Sequence, residues 1–330
     1  MILSIILPVY NVSAYLGDCL DSLLTREAGA EAQMEVIAVN DGSTDNCAEI
    51  LLQYARLHPN LTVVSQKNQG LSAARMKGLS YATGTYVWFV DSDDWLESGA
   101  VDFLFNMIRQ DPDIDVFVSP LKWTDDAGSV QRIDLEGVPR GEFLARDYLK
   151  NGFQAVGATH FVVRREVLSY PQIYFPLGLL HEDAYFGRVL LYLAKQVYVI
   201  NRPLYNYRVR PGSIMTARNI QSSYDLVSIY GILDAFCEQT VEFTDKEWYR
   251  RRIVEGTLLE SYNINTALIG TPPFSQFLLK NRGRIIRAYL RCGAKRSFAR
   301  RVGDIVYMLS PAVYKRLRGE YRYISLHEPR

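Results

Sequence analysis

The chain has 330 residues, 48% of them hydrophobic and 22% charged, a balance that allows a sizeable core and two domains and excludes a low-complexity polypeptide. The net charge of +1 hides an asymmetry: residues 280–322 hold thirteen Lys and Arg against Asp304 and Glu320, a net of +11, so the remainder carries −10. The four cysteines, Cys19, Cys47, Cys237 and Cys292, form no C-x-x-C pair, which argues against a disulfide framework or a zinc site and fits a reducing cytoplasm.

Ile2–Val9 is a continuous apolar run with no basic lead and no cleavage site. It reads as a central strand covered on both faces rather than a signal peptide. Tyr15, Leu16, Cys19, Leu20, Leu23 and Leu24 follow at helical spacing, with Ser13 as N-cap. Met34–Val39 is a second strand, and Asp41-Gly42-Ser43-Thr44 a turn that caps a helix running through Arg56. Leu61–Ser65 is a third strand. Leu71, Ala74 and Leu79 mark a third helix, stopped by Gly84, before a fourth strand at Thr85–Val90. This alternation implies an α/β protein with a mostly parallel sheet flanked by helices. Further strands are expected at Asp115–Ser119, Thr159–Val163 and Val197–Ile200, and a helix at Tyr185–Leu193. Beyond about Met215 long helical stretches dominate, broken at Pro272-Pro273 and Pro311. The expected division is a catalytic domain over 1–215 and a helical, basic region over 216–330. No apolar run is long enough to cross a bilayer.

In an open parallel sheet, ligands bind beyond the carboxyl ends of the strands. Four polar clusters sit at those ends: Pro8-Val9-Tyr10-Asn11, Asn40-Asp41-Gly42-Ser43, Asn68-Gln69-Gly70 and Asp91-Ser92-Asp93-Asp94. Three carboxylates within four residues repel one another unless something neutralises them. A hard divalent cation with phosphate oxygens does so. Taken alone, the segment also reads as an acidic loop with Asp94 or Ser92 capping a helix near Ser98. Neither G-x-G-x-x-G nor G-x-x-x-x-G-K-[ST] follows the first strand, which argues against a dinucleotide dehydrogenase and a phosphate-loop NTPase.

Together these blocks, with Asn68-x-Gly70-x-Ser72-x-Ala74-Arg75 completing the third, resemble family 2 of the inverting glycosyltransferases, of GT-A fold. The match of order and spacing runs over roughly the first 110 residues. His181-Glu182-Asp183-x-x-Phe186 resembles the segment that carries the family's catalytic base, and Tyr207-Arg208-x-Arg210-x-Gly212-Ser213 its late loop near the diphosphate. The resemblance implies a nucleotide-sugar donor, a UDP-sugar above all, held by Pro8, Tyr10, Asn11, Asp41, Asn68, Gly70, Arg75, Asp91, Ser92, Arg208, Arg210 and Ser213. Tyr10 would stack on the base and Asp41 accept the uracil imide N–H, which thymine also presents. Asp91 would contact the ribose or the sugar, and Asp93 would bind Mn²⁺ or Mg²⁺. Asp94, Trp95 and His181 would face the sugar or the acceptor, with His181 otherwise a supporting partner or a metal ligand. Asp183, or else Glu182, would be the general base. The acceptor implied is a glycan or a polyprenyl-linked oligosaccharide in capsule, exopolysaccharide or lipopolysaccharide synthesis. A non-catalytic nucleotide-sugar-binding module is the alternative.

The basic end carries two apolar stripes: Ile285, Ile286, Tyr289 and Leu290 amid Arg282, Arg284, Arg287 and Arg291, and Val302, Ile305, Val306 and Leu309 beside Arg300 and Arg301. Such helices either lie on an anionic membrane surface, here the inner face of the cytoplasmic membrane, or pack their stripes onto the protein. No nucleic-acid motif accompanies the charge.

Overall fold

The computed structural model describes residues 1–24, 33–126, 128–152, 157–210 and 219–292, with Ile305 and Leu309. They divide into two compact units. The first takes Met1–Gly178 and Phe186–Arg210; the second takes Leu179–Tyr185 and the described residues beyond Arg210.

The first unit begins with β1 (Leu3–Val9), α1 (Ser13–Leu24), β2 (Met34–Asn40), α2 (Cys47–Leu57), β3 (Leu61–Ser65), α3 (Leu71–Leu79) and β4 (Tyr86–Phe89). β1, β2, β3 and β4 are parallel neighbours, with β1 in the middle and buried along its whole length. That is the environment a continuous apolar run demands. Helix α1 lays Leu16, Cys19, Leu20, Leu23 and Leu24 on the sheet. Each such leucine contributes about 1.5–3 kcal/mol of burial. The Tyr15 and Leu16 amides of its first turn donate to the Val12 carbonyl, so Ser13 lies one residue inside the helix rather than at its cap. Gly84 stops no helix, since α3 ends at Leu79. It is a point of close approach: a Cβ there would sit 2.6 Å from the Ser4 amide nitrogen.

β5 (Trp95–Leu96), α4 (Ala100–Gln110), β6 (Val116–Val118), β7 (Leu121–Asp125), β8 (Val130–Ile133), β9 (Gly141–Leu144), α5 (Ala145–Lys150), β10 (Phe161–Arg164), α6 (Glu182–Leu193), β11 (Gln196–Val199) and β12 (Tyr205–Val209) follow. The main sheet runs β3-β2-β1-β4-β10-β6-β11-β9. β10 is antiparallel to both neighbours. A 3₁₀ turn at Ala158–His160 takes the residues expected to begin that strand. A second sheet, β5-β12-β7-β8, was not visible in the sequence. The architecture is the GT-A arrangement: a mixed, largely parallel α/β sheet with helices.

The second unit is helical: α7 (Ile220–Gln239), α8 (Lys246–Tyr249), a π-helical turn Arg250–Val254, α9 (Glu255–Asn263) and α10 (Pro272–Arg291). Pro272 and Pro273 open α10, where their missing N–H groups cost nothing. Its core is built from Leu258, Leu259, Tyr262, Phe274, Phe277, Leu278, Ile285 and Tyr289. Ile285 and Tyr289 of the first apolar stripe therefore face inward. Val302, Val306 and Pro311 lie outside the described residues. Among the described residues no helix is long and apolar enough to cross a membrane.

Candidate active site

The carboxyl ends of β1, β2, β3 and β4 are tied to one another by side chains. Val9 pairs with Asn40, and the Asp41 amide donates to the Val9 carbonyl at 2.9 Å. Asn11 sits in the left-handed region (φ 50), and its Oδ1 accepts from the Thr44 amide at 2.8 Å. The Asn11 amide donates to Ser43 Oγ. Asp45 joins two helix starts, accepting from the amides of Ser13 at 2.9 Å and Cys47 at 3.1 Å. The N-cap position of α2 is Asn46, whose side chain makes no cap bond; the Asp45 carboxylate just ahead of it accepts the first helical amide instead. Tyr10, just past the end of β1, is 47% exposed, while Pro8 within the strand is buried. That leaves a ring face open for stacking.

Asp41 is 2% exposed. Its Oδ1 accepts from Gln66 Nε2 and the Gln69 amide, and its Oδ2 from the Gly70 amide, all within 2.8–2.9 Å. The carboxylate therefore clamps the β3–α3 loop, which leaves Asn68 exposed at its tip. Gly42 (φ 74) makes this possible, since a Cβ there would lie 2.8 Å from the Asn68 nitrogen.

The acidic turn hangs between three arginines. Arg75 of α3 is 3% exposed, lies over the Phe175 ring at 5.1 Å, and gives Nη2 to Asp91 Oδ1 at 2.8 Å. Arg210 places Nε and Nη2 at 2.8 and 2.7 Å from Asp93 Oδ2. Burial and the Asp91 charge push the Asp93 carboxyl above the usual carboxylate range, against the pull of Arg210. Arg208 is 7% exposed. Its guanidinium lies over Trp95 at 4.6 Å and Tyr15 at 5.0 Å. It donates to the Asp93 carbonyl at 2.7 Å and pairs with Asp18 and Asp126.

Asp94 is turned inward and 1% exposed. Its Oδ1 accepts from the Arg208 amide at 2.7 Å and its Oδ2 from the Tyr205 hydroxyl at 2.6 Å. Both Asp94 oxygens are thus engaged by β12, while the Arg208 guanidinium is shared between the Asp93 carbonyl and the exposed carboxylates of Asp18 and Asp126. Neither Asp94 nor Ser92 caps α4, which starts at Ala100 with Gly99 at its cap. Ser92 is buried, and the Trp95 ring lies under Arg208. Tyr205 escaped the sequence reading because it lies in a short strand whose pairing is not local.

Glu182 and Asp183 form the first turn of α6 in the second unit, where acids suit the helix dipole. Glu182 is 6% exposed, and Asp183 is the more accessible of the two. His181 has a left-handed backbone (φ 63) and accepts the Ala184 amide at its carbonyl. Burial, against the charges of Glu182, Asp225 and Glu260, holds its imidazole below the ordinary histidine range, so the neutral form dominates near pH 7. Ser213 lies outside the described residues. Among the described residues no group of three or more His, Cys, Asp and Glu converges as a ready-made metal cage.

A sequence model of glycosyl transferase family 2 matches residues 4–170, half of the chain. The chain belongs to that family. It is 32% identical over 222 residues to the glycosyltransferase GlyA of Streptococcus pneumoniae, covering 64% of this chain and 31% of that protein. It is 33% identical over 219 residues to the uncharacterized glycosyltransferase YibD of Escherichia coli, covering 64% and 62%. The chain thus spans less than two thirds of the length of either relative. Among solved structures, S. aureus TarS 1–349 in complex with UDP-GlcNAc superposes with a TM-score of 0.60 at 22% identity, over 95% of this chain and 83% of that one. The mannosyltransferase PcManGT of Pyrobaculum calidifontis, in complex with GDP-Man and Mn²⁺, gives 0.53 at 17%, over 96% and 87%. At these identities the likeness shows the fold. In this family 2 chain, the matched span contains all four strand-end blocks and stops before Asp183.

Proposed function

We propose that this family 2 chain is an inverting glycosyltransferase that moves a sugar from a UDP-sugar to a hydroxyl of a glycan or polyprenyl-linked acceptor, in the synthesis of a bacterial surface polysaccharide. The observation that carries this reading is the tethering of four strand-end loops around Asp91 and Asp93, each carboxylate held by a buried or half-buried arginine. Tyr10 offers a face for the base. Asp41 is fixed at a strand end, and each of its oxygens has two lone pairs, so Oδ2 retains capacity for an imide N–H beside the Gly70 amide. The UDP-GlcNAc and GDP-Man complexes of the two structural neighbours support a nucleotide-sugar donor.

The donor set fits a hard divalent cation. Asp93 supplies a carboxylate in a locally negative, half-buried turn, and diphosphate oxygens and water suit the remaining positions. When bound, Mn²⁺ or Mg²⁺ would offset the charge of the departing diphosphate. Arg210, which here pairs with Asp93, would be the second cation to meet that charge, and Arg75 holds Asp91, which would contact the ribose or sugar. Asp183 is the proposed base. It takes the proton of the acceptor hydroxyl as that oxygen bonds to the anomeric carbon and the bond to the diphosphate breaks, which inverts the centre.

Release of nucleoside diphosphate from a panel of UDP- and GDP-sugars, measured with Mn²⁺ and with EDTA, tests the reading. Metal-dependent release is expected, falling sharply in Asp93→Ala and Asp183→Ala. Unchanged release in EDTA would remove the metal, and full activity of Asp183→Ala would move the base to Glu182. Binding of UDP-sugars with no turnover in any acceptor extract would favour the non-catalytic alternative.

A further inference from the structure

Helix α10 has two differently used faces. Phe274, Phe277, Leu278, Asn281, Ile285, Ala288 and Tyr289 are buried, which accounts for its inward side. On the opposite side Leu279 is 67% exposed and Leu290 52% exposed. They are eleven positions apart, about three turns of helix, so they lie on one line about 16 Å long. Gly283 and the half-buried Ile286 fall on the same line at the spacings of four and seven. Lys280, Arg282, Arg284, Arg287 and Arg291 flank it, all exposed, and the helix contains no Asp or Glu. At the C-terminal end of the helix Arg251 donates its Nε to the Arg291 carbonyl at 3.0 Å, and there Arg251 pairs with Glu247 and Arg291 with Glu255.

We propose that this outer face of α10 is a docking surface for an anionic lipid bilayer, lying parallel to the membrane with Leu279 and Leu290 in the acyl boundary and the cations among the headgroups. An exposed apolar line rimmed by cations on a helix without acids is the pattern of an interfacial helix. Charge selects the occupant. Two α10 helices packed face to face would oppose five cations with five cations, so a second copy is disfavoured. Nucleic acid would use the cations but give the leucines no role. An anionic bilayer uses both. The proposal does not rest on the donor-site reading, although a polyprenyl-linked acceptor would be met at such a surface.

Deleting residues 280–330 is a poor test, because Ile285, Ala288 and Tyr289 belong to the core of the helical unit. Point substitutions on the outer face avoid this. The full chain is floated with phosphatidylcholine vesicles with and without phosphatidylglycerol. The expectation is binding that requires phosphatidylglycerol and weakens about tenfold both in Leu279→Ser/Leu290→Ser, which keeps every charge, and in Arg284→Gln/Arg287→Gln, which keeps both leucines. Thermal unfolding and UDP-sugar binding should match the parent. A Leu290→Trp variant gives an independent readout, a blue shift of fluorescence with anionic vesicles only. Equal binding to neutral vesicles, parental binding by the leucine pair, or no shift at Trp would overturn the proposal. So would tight binding of duplex RNA that ignores the leucines.

Discussion

Tyr205 donates its hydroxyl hydrogen to Asp94 Oδ2 at 2.6 Å and accepts the Asp91 amide at 3.0 Å, so one phenolic oxygen holds both ends of the Asp91–Asp94 turn. The pair is fully buried. Burial and the charges of Asp93 and Asp91 push the Asp94 carboxyl well above its usual range. Burial and Asp94 push the Tyr205 phenol up likewise, so it keeps its proton for donation. Tyr205→Phe removes a donor and an acceptor and leaves a carboxylate oxygen and an amide buried without partners. The expected cost is about 1–3 kcal/mol. It should appear as a lower urea midpoint with an unchanged slope. An unchanged midpoint would mean that the turn is held from elsewhere.

Arg208 does for the outer side of the turn what Tyr205 does for the inner side. Its planar group is sandwiched by Trp95 and Tyr15 while its nitrogens reach the Asp93 carbonyl, Asp18 and Asp126. Lysine keeps the charge but not the flat, forked geometry. Arg208→Lys should therefore fail to hold Asp93 in place. A fall of about tenfold or more in kcat/KM is expected, about 1.4 kcal/mol of transition-state stabilisation. The metal concentration needed for half activity should rise with it. A loss in turnover with an unchanged metal requirement would assign Arg208 to donor contact instead.

These two residues mark where the sequence stopped being legible. β1 to β4 could be read because buried parallel strands leave continuous apolar runs, and the blocks that follow them announce a strand-end site. β5 has two residues, and β7 contains a register irregularity at Trp123/Thr124. Neither leaves a periodic trace, and without them β12 has no visible neighbour. Tyr205 consequently left no sign in the sequence, and Arg208 showed only as an arginine of the late loop. The partners of Asp94 were hidden for the same reason. Its chemistry is that of a site residue, but its two oxygens are claimed by a strand more than a hundred positions away.

Gly42 joins backbone conformation to the donor site. Its φ of 74 is unfavourable for a side chain, and a Cβ would meet the Asn68 nitrogen at 2.8 Å, where only backbone could give way. Gly42→Ala should push the 66–70 loop outward and strain the clamp of Asp41 on Gln69 and Gly70. Isothermal titration with UDP should show weaker binding, about tenfold, on top of about 1 kcal/mol of lost stability. Gly99, with open space around its Cβ position, is the control for the conformational part alone. If Gly42→Ala and Gly99→Ala bind UDP equally well, the Asn68 approach has no bearing on the donor.

Asp45 gives the fold a pH dependence whose sign can be worked out. Burial raises its carboxyl, but donation from Cys47 and from Ser13, at the starts of α2 and α1, outweighs this and lowers it to about 2. The unfolded chain holds the proton more tightly, with an ordinary value of about 3.9. The folded state thus binds fewer protons. The stabilisation is fully present above the unfolded value and is lost as pH falls from there toward about 2. Because the group is only half-buried, solvent screening keeps the effect small: Asp45→Ala should cost about 0.5–1 kcal/mol near neutral pH, at the low end for a lost helix cap. The gap in urea midpoint between parent and variant should hold from neutrality down to about pH 5 and narrow below about pH 4. A gap that stays constant through that window would show that the two helix starts are fixed by contacts other than this carboxylate.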